Sequence, residues 1–173
     1  MADPRTVPIT GPAGGLGRAF AEGFAAAGDR VVVADINLAG AEETATALRA
    51  ASGEALACEV DVTDRDSTVK LAEAAADFGG GSIDVVVNNA AIYAGIIRSP
   101  FEDIAEAEWD LVMGVNLKGP WQVTRAVSPY LPAGGRVVNL SSATVMSGST
   151  QWAHYVASKG GVIALTRVLA KEL

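Results

Sequence analysis

Thr10-Gly11-Pro12-Ala13-Gly14-Gly15-Leu16-Gly17 decides the fold. It follows a short apolar segment, residues 7–10, and opens a segment of helical composition, residues 15–27, that Gly28 ends. A glycine-rich turn between a strand and a helix lets the backbone bend sharply and approach a ligand closely, and the helix N-terminus behind it favours phosphate. The glycines at 11, 15 and 17 are spaced GxxxGxG rather than GxGxxG. By itself such a loop could be an ordinary tight turn; its place between strand and helix is what gives it weight.

Outward from the loop, strand and helix alternate. Strands are expected at 30–35, 55–60, 83–87 and 136–140, and helices at 38–51, 65–78, 104–131 and 152–173. Gly114, Gly119 and Pro120 interrupt the pattern of the 104–131 helix. The strands are continuously apolar, as in a sheet covered on both faces. Strands alternating with helices imply right-handed crossovers, hence a doubly wound parallel α/β sheet in three αβα layers. The 173 residues leave room for one domain, 1–173. Pro8 is a local conflict, because it removes a ladder donor from the first strand.

Half of the residues are hydrophobic, and no apolar run approaches the ~20 residues of a membrane span. Residues 1–5 lack the apolar stretch of a signal peptide. The net charge of −7 disfavours nucleic acid as a partner. Cys58 is the single cysteine, so no intramolecular disulfide forms, and it reads as a buried strand thiol. His154 is the single histidine, which excludes a multi-histidine metal site; no metal is expected. A reducing, cytoplasmic setting is the default.

Two further features carry chemistry. Asp35 ends the second strand, 18 residues after Gly17 (35 − 17), where a carboxylate can hold an adenosine ribose diol and repel a 2′-phosphate. No Arg or Lys lies in 12–16 or at Asn37 and Leu38, so NAD is favoured over NADP, with Arg18 the nearest exception. Asp35 as a plain capping or solvent-facing acid is the competing reading. Tyr155 and Lys159 stand one helical turn apart, and Ser142 lies 13 residues before the tyrosine (155 − 142). A phenol ordinarily keeps its proton to pH ~10. An ammonium at i+4 favours the phenolate, and a converging serine hydroxyl can hold a carbonyl or alkoxide oxygen. Together they describe a proton-transfer site for a carbonyl/alcohol pair.

Residues 10–17, Asp61-Val62, Asn88-Asn89-Ala90, Asn116, Ser142 and the run from Tyr155 to Lys159 occur in the order of the short-chain dehydrogenase/reductase family, which the chain resembles over essentially its whole length. The resemblance implies a Rossmann-like fold and an NAD(H)-dependent oxidoreductase that interconverts a secondary alcohol and a ketone. Gly11, Gly15, Leu16, Gly17, Asp35, Asp61, Val62, Asn88, Ala90, Tyr155 and Lys159 would hold the cofactor. Asp61 would meet the adenine edge, and Asn88 with Ala90 would shape the floor beneath the cofactor. Asn116 would support the active-site helix and a relay water. Ser142 would polarise the substrate oxygen, Tyr155 would exchange its proton, and Lys159 would assist the tyrosine and grip the nicotinamide ribose. Blander readings stand beside these: Asp61 a helix cap, Asn88 and Asn89 turn formers, Asn116 a tolerated polar residue, Ser142 a loop cap, and His154 a mere neighbour of the site.

Tyr93, Thr144 and Trp152 are candidates for the substrate pocket, although Trp152 could equally be a packing residue. Arg98 is the one arginine that could meet a substrate carboxylate. Within the family a 3-oxoacyl-thioester reductase is the alternative; outside that class stand a non-catalytic NAD-binding module and an epimerase-like protein using the same Tyr/Lys pair. The resemblance also implies a homodimer or homotetramer formed through the two long helices. Ala91 stands where the family often has glycine. Residues 166–173 end without a helix stop, and the resemblance implies a continuation with further strands, so the chain is expected to be a fragment lacking the last strands, with 136–140 at a sheet edge.

Overall fold

A computed structural model describes residues 3–173; residues 1 and 2, part of the stretch read for a signal peptide, lie outside the described residues. Five parallel strands form one sheet: β1 (Thr6–Thr10), β2 (Arg30–Asp35), β3 (Glu54–Glu59), β4 (Val85–Asn88) and β5 (Arg136–Asn139), in the order β3-β2-β1-β4-β5. The register sets Val7 against Val31, Val31 against Ala55 and Val86 against Val137. Helices α1 (Gly15–Ala26), α2 (Leu38–Ala50) and α3 (Arg65–Phe78) fill the first three crossovers.

The apolar strands divide by parity. Val31 and Val33 pack with Val7 and Ile9 against Ala21 of α1 and Ala41, Ala45 and Leu48 of α2. Val32 and Ala34 face the other way, onto Leu71, Ala72, Ala75 and Ala76 of α3. Because both faces are covered, β2 needs no polar alternation; each fully buried valine contributes about 1.5–3 kcal/mol relative to exposure.

The segment expected as one helix over 104–131 is helical in three parts. Helix α4 (Glu106–Met113) runs into a π-helical turn, Gly114–Lys118, and then into α5 (Gly119–Val127). The physical reason lies in the sequence: Pro120 has no N–H to donate back to the carbonyl of residue 116. A Cβ on Gly119 would stand 2.8 Å from Val62 Cγ2, so only glycine lets the helix pass that close. Helix α6 (Thr144–Ser147), too short to announce itself by periodicity, ends at Gly148 with φ 68°. Helix α7 (Ala153–Glu172) closes the described chain.

Pro8 lies in the buried central strand. Arg5 and Gly11 bond toward β2, whereas Thr6 bonds to Asp84 just before β4, so the missing donor of Pro8 falls on the β4 side. Positive φ among described non-glycine residues occurs at Ser52 and Gln151, so Ala91 carries no such strain. Strand β5 is a sheet edge with Val138 exposed. Among the described residues no helix is long and apolar enough to cross a membrane. Strand β1 has β2 on one side and β4 on the other; this switch in winding opens a crevice at the strands' carboxyl ends.

Candidate active site

A cleft of about 980 Å³ occupies that crevice, running from the glycine loop past Asp35 and Asp61 to Ser142, Tyr155 and Lys159. Gly11, Gly15, Leu16, Gly17, Val62, Ala90 and Tyr93 also line it. Asn88, Asn116, Thr144 and Trp152 do not, and each has a structural reason.

The glycine loop is held from below. Gly11 has φ 75°, and a Cβ there would stand 2.8 Å from Ala90 Cα. Thr10 Oγ1 accepts the N–H groups of Asn89 and Ala90, each at 3.1 Å. Asn89 Nδ2 donates to the carbonyls of Thr10 and Gly11, both at 3.0 Å. Asn89, not Asn88, is therefore the residue against the loop. Asn88 has the parity of Val86 and points away from the cleft, donating to Thr124 Oγ1 at 3.1 Å and Asn139 Oδ1 at 2.8 Å. Strand alternation could have separated the two asparagines. Asn89→Ala, which removes two bonds to backbone carbonyls, is expected to cost about 1–3 kcal/mol in urea denaturation.

The Asp35 carboxylate is fixed at both oxygens: Oδ2 accepts from Ala13 N–H at 2.9 Å and Oδ1 from Asn37 N–H at 3.0 Å. It thus ties the loop to the end of β2 while presenting negative charge to the cleft. Arg18, the cation that follows the loop in sequence, turns to Glu22 at 3.1 Å and Glu43 at 3.8 Å. Asp61 Oδ1 accepts from Thr63 N–H and Oγ1 at 2.8 and 2.7 Å. Asp64, rather than Asp61, caps α3 through Ser67 N–H.

At the other end, fully buried Asn116 sits in the π-helical turn. Its Oδ1 accepts from Ile92 N–H at 2.7 Å, while Nδ2 donates to Ile92 O at 3.1 Å and Ser158 Oγ at 3.3 Å. It staples the segment after β4 to α7. The Tyr155 ring lies 5.6 Å from that of Tyr93 and 5.3 Å from that of Trp152. Trp152 is buried beneath this aromatic group, and the Arg98 guanidinium lies 4.2 Å over its ring. Lys159 is 5% exposed and its Nζ donates to Leu140 O at 2.7 Å. Burial pushes its ammonium pKa below the ordinary 10.5. Ser142 Oγ accepts from Thr144 N–H at 3.2 Å and Thr144 Oγ1 at 2.8 Å. Thr144, expected in the substrate pocket, is turned onto Ser142. His154 points toward α4, with Nε2 3.5 Å from Glu108 and its ring stacked on Trp109. Among the described residues no three His, Cys, Asp or Glu side chains gather as metal ligands.

The family model described as short chain dehydrogenase matches residues 5–173. Galactitol 2-dehydrogenase of Agrobacterium fabrum is 39% identical over 171 residues, covering 95% of this chain and 63% of that protein. The 3-oxoacyl-(acyl-carrier-protein) reductase FabG of Thermotoga maritima is 38% identical over 168 residues, covering 95% of this chain and 66% of its own length. The crystal structure of a short-chain dehydrogenase/reductase (SDR:Glucose/ribitol dehydrogenase) from Brucella melitensis superposes with a TM-score of 0.90 at 32% identity, over 97% of this chain and 69% of that one. The chain thus spans a little under two thirds of the length of the two curated relatives.

Proposed function

The chain belongs to the short-chain dehydrogenase family, and on that footing we propose that it serves an NAD(H)-dependent oxidoreductase interconverting a secondary alcohol and a ketone. The observation that carries this reading is that one cleft unites the glycine loop and Asp35 with Ser142, Tyr155 and Lys159.

The cleft fits a dinucleotide. A Cβ on Gly14 or Gly15 would meet only open space, so the loop leaves room beside the N-terminus of α1, where a pyrophosphate is favoured. Asp35 would hold a ribose diol and oppose a 2′-phosphate, Asp61 and Val62 would flank the adenine, and Lys159 would hold the second ribose. Bound NAD supplies the hydride acceptor in oxidation and, reduced, the hydride donor in reduction. Tyr155 takes the alcohol proton in one direction and returns it in the other. Lys159 lines the same cleft wall as Tyr155, and Ser142 donates to the substrate oxygen as its charge changes. Asn116 acts through the backbone it fixes.

A 3-oxoacyl-thioester reductase is the second reading, favoured by 38% identity to the Thermotoga maritima enzyme. Assembly into a homodimer or homotetramer fits the exposed Trp109, Leu111 and Trp121 on the α4–α5 segment and Val168 on α7. Calorimetric titration with NAD and NADP tests the cofactor reading. NAD is expected to bind at least about tenfold tighter, and Asp35→Ala to erase most of that margin, because it removes the charge that opposes a phosphate. Equal affinities for the two cofactors in the wild-type chain would contradict it.

A further inference from the structure

We infer that Thr144 is a positioning residue that aims the Ser142 proton into the cleft. The inference rests on the reading of Ser142 as the group that meets the substrate oxygen. A serine hydroxyl has one proton and two lone pairs, and a lone serine at a cleft wall rotates among several ways of using them. Here both lone pairs are taken by one residue. Thr144 N–H donates to Ser142 Oγ at 3.2 Å and Thr144 Oγ1 donates to it at 2.8 Å.

The turn holds this arrangement in place. Val145 N–H bonds to Ser142 O at 3.2 Å and Met146 N–H to Ala143 O at 3.0 Å, so residues 142–146 fold back on themselves at the start of α6. With its acceptor sites filled, the remaining capacity of Ser142 is its own O–H. Ser142 lines the cleft shared with Tyr155 and Lys159, so with Thr144 as the donor the Ser142 O–H is left to the cleft. The same geometry joins Thr144, Ser142 and the substrate oxygen in a chain of hydrogen bonds. Each donor in such a chain polarises the next, so the chain strengthens as negative charge grows on that oxygen. Thr144 itself stays outside the cleft lining. The opposite sense, with Ser142 donating to Thr144 Oγ1, would withdraw the proton from the substrate. The two senses predict opposite results.

Thr144→Val keeps the backbone N–H and the side-chain shape while deleting the hydroxyl; Thr144→Ser restores it. Thr144→Ala serves as the second deletion if the valine variant does not fold, with melting curves as the check. The probe is erythrulose, a ketose too short to close into a stable ring, reduced with NADH. For Thr144→Val we expect kcat to fall about 10-fold, less than the ~10²–10³ lost with a direct oxyanion donor, while KM moves by less than about 3-fold. Thr144→Ser returns kcat to within about 3-fold of wild type. In a Ser142→Ala background the Thr144→Val loss vanishes, because the two residues act as one unit.

An independent readout is the infrared carbonyl stretch of erythrulose, isotopically labelled at that carbon, bound together with oxidised NAD. It should sit lower in the wild type and Thr144→Ser than in Thr144→Val. A Thr144→Val protein that matches or outpaces the wild type, while Ser142→Ala is impaired, overturns the inference and leaves the proposed reaction standing. A wild-type chain that reduces neither erythrulose nor any other ketone in a panel of ketoses and 3-oxoacyl thioesters, and shifts no bound carbonyl stretch from its value in water, overturns both.

Discussion

Tyr155→Phe is expected to lower kcat about 10²–10⁴-fold, the range for losing a positioned general acid–base group, while the chain still folds and binds NAD. The substitution deletes one hydroxyl and keeps the ring. That ring is 7% exposed and packs against Tyr93 and Trp152, so its burial, and the stability that comes with it, survives. The glycine loop, Asp35 and the Asn116 staple do not touch the hydroxyl and are unchanged. Steady-state rates, calorimetric NAD affinity and a melting curve on the same preparation separate the outcomes. Near wild-type turnover in Tyr155→Phe would remove Tyr155 from the chemistry.

Lys159→Met has the second large effect. The ammonium lines the cleft with Tyr155 and in the proposed reaction is the cation that assists it, so its loss is expected to lower kcat by about 10²-fold or more. The same substitution carries a pH signature in stability. Burial lowers the pKa of Lys159 in the fold, so between that value and 10.5 the unfolded chain binds the proton more tightly than the folded one. Wild-type stability therefore gains from this group as pH rises through that interval. Methionine has no such charge. The variant's unfolding free energy relative to wild type is thus highest at the acid end of the interval and falls as pH rises toward 10.5. Urea denaturation at several pH values within the interval reads the slope. A relative stability that rises with pH would mean that the fold favours the charged lysine. The lost bond from Nζ to Leu140 O offsets the variant's advantage at every pH without changing the slope's sign.

Much of the fold was legible in the residues themselves. The glycine loop, the unbroken apolar run ending at Asp35 and the turn signals at Gly28 and Gly79 place β1, β2 and helices α1 to α3 within a residue or two of the observed bounds. Parallel pairing follows from strands without polar alternation, and the buried valines of β2 divide between two helical layers as that pattern requires. Less legible was whatever depends on the direction of a side chain rather than its identity. Asn88 and Asn89 are the same residue type, yet strand parity sends one to α5 and the other under the glycine loop. Thr144 lies two residues from Ser142, and only the fold-back into α6 turns it from the cleft onto the serine. The π-helical turn at 114–118 was signalled by Gly114, Gly119 and Pro120, but the sequence does not say whether such a helix breaks, kinks or widens. In the fold Gly119 passes so near Val62 that a Cβ there would stand 2.8 Å from Val62 Cγ2. The Ser142, Tyr155 and Lys159 spacing was readable because helical periodicity fixes the latter pair, whereas the serine joins them only through the end of β5.

The central claim is that one cleft holds NAD and the acid–base trio together, so that a carbinol hydrogen can pass to the nicotinamide beside Tyr155. The direct measurement is single-turnover transfer of deuterium. The chain is mixed with NAD and a panel of secondary alcohols deuterated at the carbinol carbon, galactitol among them, and the reduced cofactor is weighed by mass spectrometry. Deuterium in the reduced nicotinamide with the wild type, and its loss with Tyr155→Phe at unchanged NAD affinity, is the expected result. Tight NAD binding with no deuterium transferred from any alcohol would contradict the claim and favour a cofactor-binding module without this chemistry.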